Sequence, residues 1–279
     1  MNGLNSISLT RFAATMADLS GVDRPKFSDK PIQWVEDVFR DICRKPFDKV
    51  FIQNPDCCAQ WMYQKYPDAI EPVLKHTHVT IPFRTVMPSV TPVCFGTMYT
   101  GALPSVHGIQ EYAKPIIKID SLFDCWIRAG KKVCLVSTES ASMSNIFKDR
   151  AFDIFKCTVD GKGCEGFAIQ KMEELILEDK YDIYILYTWM YDTNDHHYGP
   201  ESKEALTALY RQATAFDSIV STIKRHWRKY NTLISFSTDH GCHAIDPKTD
   251  AKGYLGHHGT DSPLDLNILH FLGAIPKSE

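Results

Sequence analysis

Thr232-Leu-Ile-Ser-Phe-Ser-Thr-Asp-His-Gly241 is a short apolar run that stops on an acid, a histidine and a glycine. Its first six residues, Thr232 to Ser237, read as a buried strand. Two other apolar runs lead to an aspartate in the same way. Lys49 to Gln53 (KVFIQ) precedes Asp56, and Asp182 to Tyr187 (DIYILY) precedes Asp192. Lys132 to Ser137 and Phe152 to Cys157 read as further strands. Helical patterns separate them. Trp34, Val35, Val38, Phe39 and Ile42 share one helix face before Pro46, Leu122 to Ala129 is a short helix closed by Gly130, and Gly166 to Leu177 is another. Leu206, Leu209, Ala213, Phe216, Val220, Ile223 and Trp227 recur at alternating three and four residues, the strongest helical signal in the chain. Strand–helix alternation with continuously apolar strands predicts an α/β fold, a mostly parallel central sheet with helices on both faces. Ligands of such sheets bind beyond the carboxyl ends of the strands. Asp56, Asp192 and Asp239 all fall there.

The chain has 279 residues, 44% of them hydrophobic, enough for one large core. Residues 1–30 are weakly patterned and read as an N-terminal arm or surface loop, with residues 31–279 as a single domain. The formal charge of -3 gives no sign of a nucleic-acid polymer or a membrane surface as partner. Nine cysteines are scattered without a Cys-x-x-Cys pair, so neither a disulfide framework nor a structural zinc module is indicated. Met1 to Arg24 lacks an apolar run and carries Arg11 and Asp18 where a signal peptide would be hydrophobic. The longest apolar run, around Ile183 to Tyr187, is too short to span a bilayer. A cytoplasmic location is the expectation.

Two of the strand-end aspartates sit in histidine-bearing motifs, Asp192-Thr-Asn-Asp-His196-His197-Tyr-Gly-Pro200 and Asp239-His240-Gly241, and His257-His258-Gly259 follows. Asp192 and His196, four apart, can share a helix face or a tight loop and reach one ion; carboxylate oxygen and imidazole nitrogen are typical zinc ligands. The alternative is a polar loop capping the next helix, with Pro200 as its N1 residue. Asp239 and His240 at a strand end could serve one ion or help bridge two, or simply form a turn. The pair at His258 could equally be a solvated loop. Taken together the signal is stronger, since seven of eleven histidines lie between His196 and His258. An imidazole–carboxylate set suits Lewis-acid chemistry with no redox role. The partner it needs is a hydroxyl nucleophile. Thr91-Pro92 reads as an N-cap and N1 proline, which puts the Thr91 hydroxyl at a helix N-terminus that favours an anion. The alternative is an ordinary cap.

The segment Pro88-Ser-Val-Thr91, then Thr100-Gly101-x-x-Pro104-x-x-His107-Gly108-Ile109, resembles the nucleophile motif of the alkaline phosphatase superfamily. It is most similar to the type I phosphodiesterase/nucleotide pyrophosphatase branch and to phosphonoacetate hydrolase. Thr91 lies ten residues before Gly101, as the nucleophilic threonine does there. The resemblance continues through Asp192-x-x-x-His196-x-x-Gly199-Pro200, Asp239-His240-Gly241 and His258-Gly259, roughly residues 48–272. It implies an alkaline phosphatase-like catalytic domain with two divalent metal ions, zinc or alternatively manganese. Asp56, Asp239, His240 and Thr91 would hold one ion, and Asp192, His196 and His258 the other. Thr91 would attack phosphorus of a small-molecule phosphoester, and the covalent phospho-threonine would then be hydrolysed. His107 would brace the loop after the nucleophile helix.

This sequence also departs from that pattern. The first aspartate of the family sits in Asp-Gly, whereas here the run is Asn54-Pro-Asp56-Cys57, so Asn54 could occupy part of the space. An asparagine expected three residues after the nucleophile is Cys94, and Pro92 offers no N–H to a phosphoryl oxygen. Substrate selection is expected from the segments Ile109 to Ser121 and Ser140 to Arg150. The leading expectation is a two-metal phosphodiesterase or nucleotide pyrophosphatase-like hydrolase. The alternatives are a phosphomonoesterase, a phosphonate hydrolase and a non-catalytic metal-binding module. A sulfatase is disfavoured, because Cys94-Phe-Gly-Thr-Met lacks the Pro/Ala and the Arg of the formylglycine motif.

Overall fold

The structure, a computed structural model, describes residues 3–157 and 164–278. Its strands are β1 (Ile7–Ser8), β2 (Lys49–Pro55), β3 (Val79–Arg84), β4 (Val133–Ser137), β5 (Asp153–Lys156), β6 (Ile183–Thr188), β7 (Thr232–Ser237), β8 (His243–Ala244), β9 (Gly256–His257) and β10 (Asn267–Ile275). Eight of them form one sheet in the order β1-β3-β10-β7-β2-β6-β4-β5, and β8 and β9 pair separately. Every neighbouring pair in the large sheet is parallel except those of β10, which runs antiparallel to both β3 and β7. The expected mostly parallel sheet is therefore present, with one reversed strand inside it.

β2, β6 and β7 are buried at every position, which is why their sequences are continuous rather than alternating. Their side chains still divide by the two-residue period. Val50, Ile52, Ile183 and Ile185 join one core with Phe12, Phe39, Phe95, Tyr99 and Phe123. Phe51, Tyr184 and Leu186 join the other with Phe216, Trp227 and Phe236. Helices Phe12–Leu19, Gln33–Ile42, Thr91–Thr100 and Leu122–Arg128 carry the first core, and Cys164–Glu178 and Lys203–His226 the second. β2 pairs with β6 from Val50↔Ile183 to Pro55↔Thr188, and with β7 from Lys49↔Thr232 to Gln53↔Phe236. This register brings the carboxyl ends of the three strands side by side.

Two expectations need correcting. Residues 1–30 are not a surface arm where described: Leu9, Phe12, Ala13, Met16 and Ala17 are fully buried, and β1 extends the sheet beside β3. The helix Phe12–Leu19 is enclosed almost all round, so it shows no one-sided stripe, and three alanines let it pack closely. Pro200 is not an N1 residue either. The helix Lys203–His226 starts at Ser202, whose hydroxyl accepts from Ala205 N, and its 24 residues span about 36 Å.

Gly101, in the motif quoted above, has a structural reason. It sits at φ +69°, and a Cβ there would collide with Ser28 and come within 3.0 Å of Thr10 O. The N-terminal segment is thus seated directly against the end of the helix that carries Thr91.

Candidate metal centre and nucleophile

Asp56 directly follows β2, while Asp239 and His240 lie just beyond β7. His240 Nε2 stands 3.4 Å from Asp56 Oδ1, 3.4 Å from Asp239 Oδ2 and 3.3 Å from Thr91 Oγ1. The helix Met190–Tyr198, just past β6, puts Asp192 and His196 on one face. Asp192 Oδ1 lies 3.5 Å from His196 Nε2 and 3.5 Å from His258 Nε2. The imidazoles of His240 and His258 stack with centroids 4.1 Å apart, so the two groups adjoin. All seven residues singled out in the sequence therefore meet at one sheet edge.

Separations of 3.4 to 3.5 Å are too long for good hydrogen bonds. They suit ligand atoms arranged around a central ion. Asp56 Oδ1, Asp192 Oδ1 and Asp239 Oδ2 are buried with no hydrogen-bond partner among the described residues, and these are the same oxygens that face the imidazoles. Leaving such an oxygen unpaired costs about 1–3 kcal/mol, and more when it is charged. A divalent cation in each group would satisfy all three. The donor sets Asp56–Asp239–His240 and Asp192–His196–His258 each converge within 4.8 Å and fit that role.

The rings are oriented from behind. Nδ1 of His196, His240 and His258 meets the carbonyls of Gly256 at 2.9 Å, Gly241 at 3.0 Å and Ser89 at 3.0 Å. Each carbonyl accepts from Nδ1–H, which leaves the Nε2 lone pair facing the group. Asp56 Oδ2 accepts from the Tyr187 hydroxyl, and Asp239 Oδ1 from Cys57 N at 3.2 Å. Burial, then the charges of Asp239 and Asp192, pushes the Asp56 carboxyl well above its usual range. Burial also raises Asp239, against the pull of His240. His258 is held well below the usual imidazole value by burial, then by His240 and His196. Burial is the first cause of each shift, with crowded like charges second for Asp56 and His258, and a bound cation inverts that balance.

Thr91 opens a ten-residue helix, Thr91–Thr100, that is buried throughout. Val90, in an extended conformation, is the N-cap, so Thr91 is the first helical residue and Pro92 the second, one position later than expected. Proline is tolerated in that first turn, where N–H groups have no intrahelical partner. Asn54 does not share the metal centre. Its amide donates to Ser237 O at 2.6 Å and its carbonyl accepts from the Tyr99 hydroxyl at 2.7 Å, beneath the site. Cys94 is buried, 4.0 Å from Val86 O. His107 braces as expected, with Nε2 3.0 Å from Thr97 Oγ1 and Nδ1 accepting from Ile109 N; burial lowers it to about 4, so it is neutral. The sequence reading missed Tyr187, whose hydroxyl donates to Asp56. Tyr187 was concealed as the last residue of an apolar strand. Tyr112 is raised by burial and by Asp56, Asp192 and Asp239, whereas Lys114 is lowered by burial with Asp56 opposing. Tyr112 is nevertheless exposed, and the Lys114 ammonium donates to Ser140 O at 2.7 Å.

Residues 137–272 match the family described as type I phosphodiesterase / nucleotide pyrophosphatase. Among solved structures the chain is similar to human ectonucleotide pyrophosphatase / phosphodiesterase 5, with TM-score 0.63 and 11% identity over 81% of this chain and 87% of that one. An inactive form of the murine counterpart in complex with AMP aligns with TM-score 0.58 and 14% identity, covering 83% and 88%. Phosphonoacetate hydrolase from Sinorhizobium meliloti 1021 in complex with phosphonoformate gives TM-score 0.52 and 16% identity, covering 75% of this chain and 60% of that one. No curated protein matches the chain in sequence. At these identities the structural likeness is one of fold, and that fold is alkaline phosphatase-like. Within that class, the family matched over residues 137–272 is the type I phosphodiesterases and nucleotide pyrophosphatases, which are phosphoester hydrolases. Among the described residues no helix is long and apolar enough to cross a membrane.

Proposed function

We propose that the protein is a two-metal hydrolase of small phosphate esters, of phosphodiesterase or nucleotide pyrophosphatase type, with Thr91 as nucleophile. The observation that carries this reading is the set of three buried, unpartnered carboxylate oxygens. Each faces an imidazole nitrogen turned inward by its own backbone hydrogen bond, and the Thr91 hydroxyl lies beside them. Asp56, Asp239, His240 and Thr91 would hold one ion, and Asp192, His196 and His258 the other. Zinc suits this donor set, with manganese as the alternative. When bound, the ions supply Lewis-acid polarisation of the phosphoryl and leaving oxygens and lower the pKa of the nucleophilic hydroxyl.

The chain's own groups supply the rest. Thr91 is fixed by a rigid buried helix, so its Oγ1 approaches phosphorus along one line. The Oγ1–P bond forms as the bond to the leaving oxygen breaks. Water then hydrolyses the phospho-threonine and restores the hydroxyl. Pro92 has no N–H, and Val93 and Cys94 donate theirs to Val90 O at 3.0 Å. The helix end therefore contributes its dipole rather than those two donors. The AMP bound by the murine relative is consistent with a nucleotide-sized phosphoester.

Thr91→Ala should cut kcat by about 10³-fold or more while the protein keeps its metal. Hydrolysis of diester, monoester, phosphonate and sulfate model substrates with added zinc or manganese, beside total metal analysis, checks this. Undiminished turnover in the variant would remove Thr91 from the mechanism, and a metal-free, inert wild type would favour a binding module.

A further inference from the structure

Directly behind the centre lies a second cluster that the proposed reaction does not use. Cys57, Asp195 and Cys242 are each fully buried, and one ligating atom from each lies within 4.8 Å of the others. Both oxygens of Asp195 are buried without a well-formed hydrogen bond among the described residues, and the group that approaches them is the Cys242 thiol. Tyr191 Oη stands 3.5 Å from Cys242 Sγ. Cys57 holds φ +67°, a left-handed conformation that glycine adopts freely and a branched side chain does not. The other side of the cluster is equally specific. A Cβ on Gly256 would collide with Asp195 Oδ1, so the close approach of β9 to this carboxylate requires glycine.

We infer that Cys57, Asp195 and Cys242 bind a third metal ion, a borderline-soft divalent cation such as zinc, in a structural site distinct from the two oxygen- and nitrogen-lined groups. Two sulfurs and one carboxylate oxygen are appropriate donors for zinc, with bonds of about 2.3 Å to sulfur and about 2.0–2.2 Å to oxygen. A tetrahedron of that size holds its donors about 3.5–3.8 Å apart, and these three atoms lie within 4.8 Å of one another. The two thiols release their protons to solvent on coordination, and Tyr191 Oη or a water takes the fourth position. The placement gives the ion a job. Cys57 adjoins Asp56, Asp195 adjoins His196, and Cys242 is two residues beyond His240. One ion would tie together the three segments that carry the ligands of the outer centre.

The test uses the full chain loaded with cobalt(II), read by absorption and by metal content. Wild type should hold three equivalents and show a near-ultraviolet sulfur-to-cobalt charge-transfer band, which the imidazole–carboxylate groups cannot give. Cys57→Gly relieves the backbone conformation and so should fold; it should lose the band and one equivalent, as should Cys242→Ala. Asp192→Asn should lose one equivalent and keep the band. A fully loaded wild type without the band overturns the inference, as does unchanged stoichiometry in Cys57→Gly. A metal-free Cys57–Cys242 disulfide found by mass spectrometry also overturns it. A band accompanied by only one equivalent would uphold the third site and count against the two-metal reading instead.

Discussion

Tyr187 shows how much a side chain outside the ligand set can govern it. Its hydroxyl holds Asp56 Oδ2, which leaves Oδ1 turned toward His240. Tyr187→Phe should keep the fold and weaken one metal by about 10–100-fold, measured by chelator competition. Asp192→Asn should empty one site of the outer pair and leave the other loaded; unchanged stoichiometry and rate would point to a different ligand set. The identities of these residues were legible because aspartate and histidine recur at strand ends in fixed spacings. Their directions were not. Whether Asn54 or Asp56 faced the imidazoles depended on Tyr99 and Ser237 O, which claim both ends of the Asn54 amide. The cluster of Cys57, Asp195 and Cys242 was invisible for the same reason: its members are far apart in the chain and form no cysteine motif.

The helix Thr91–Thr100 and the β8–β9 pair each invite a measurement. Gly101→Ala forces a side chain into the space of Ser28 at a positive φ, and should cost about 1–3 kcal/mol, read as a Tm lower by several degrees. His243 on β8 bonds Asp265 Oδ1 at 2.7 Å, and that bond raises the imidazole pKa above 6.5. A raised histidine stabilises the fold below its unfolded pKa and loses that contribution as pH climbs through the folded value. His243→Gln should therefore lower Tm at about pH 6, by roughly 1 kcal/mol equivalent, and much less at about pH 9. Equal losses at both pH values would separate the ion pair from the effect. Among the elements, β7 matched its expected bounds, and the helices Cys164–Glu178 and Lys203–His226 lay within a few residues of theirs. β3 escaped notice because Pro82 interrupts it, and a proline cannot donate to the ladder. β10 contains His270 and Gly273, which dilute its apolar run.

Taken as a unit, the molecule concentrates Asp56, Asp192 and Asp239 at one edge of a sheet whose centre is otherwise apolar. Removing divalent ions should leave those carboxylates uncompensated and lower Tm. An ion at 100 times its Kd stabilises by about 2.7 kcal/mol per site, so calorimetry with and without chelator reads the effect directly. An identical Tm in both states would mean that the folded protein does not bind the ions. The overall architecture was legible because the parallel strands are continuous and the long helix is strongly periodic. The N-terminal part was not, since a helix buried on nearly every side carries no amphipathic signature.

The reversed strand has a consequence in the time domain. β10 is the last described strand to be synthesised, yet it lies between β3 and β7 and pairs with both. Until residues 267–275 leave the ribosome, β3 and β7 each keep an open edge and the sheet exists as two unjoined parts. Open edges are templates for pairing with other chains, and contacts so distant in sequence form slowly. The nascent chain must therefore keep two sticky borders apart until its closing stitch arrives, so completion of the sheet waits on residues 267–275 and transient edge exposure is an expected trait of this architecture.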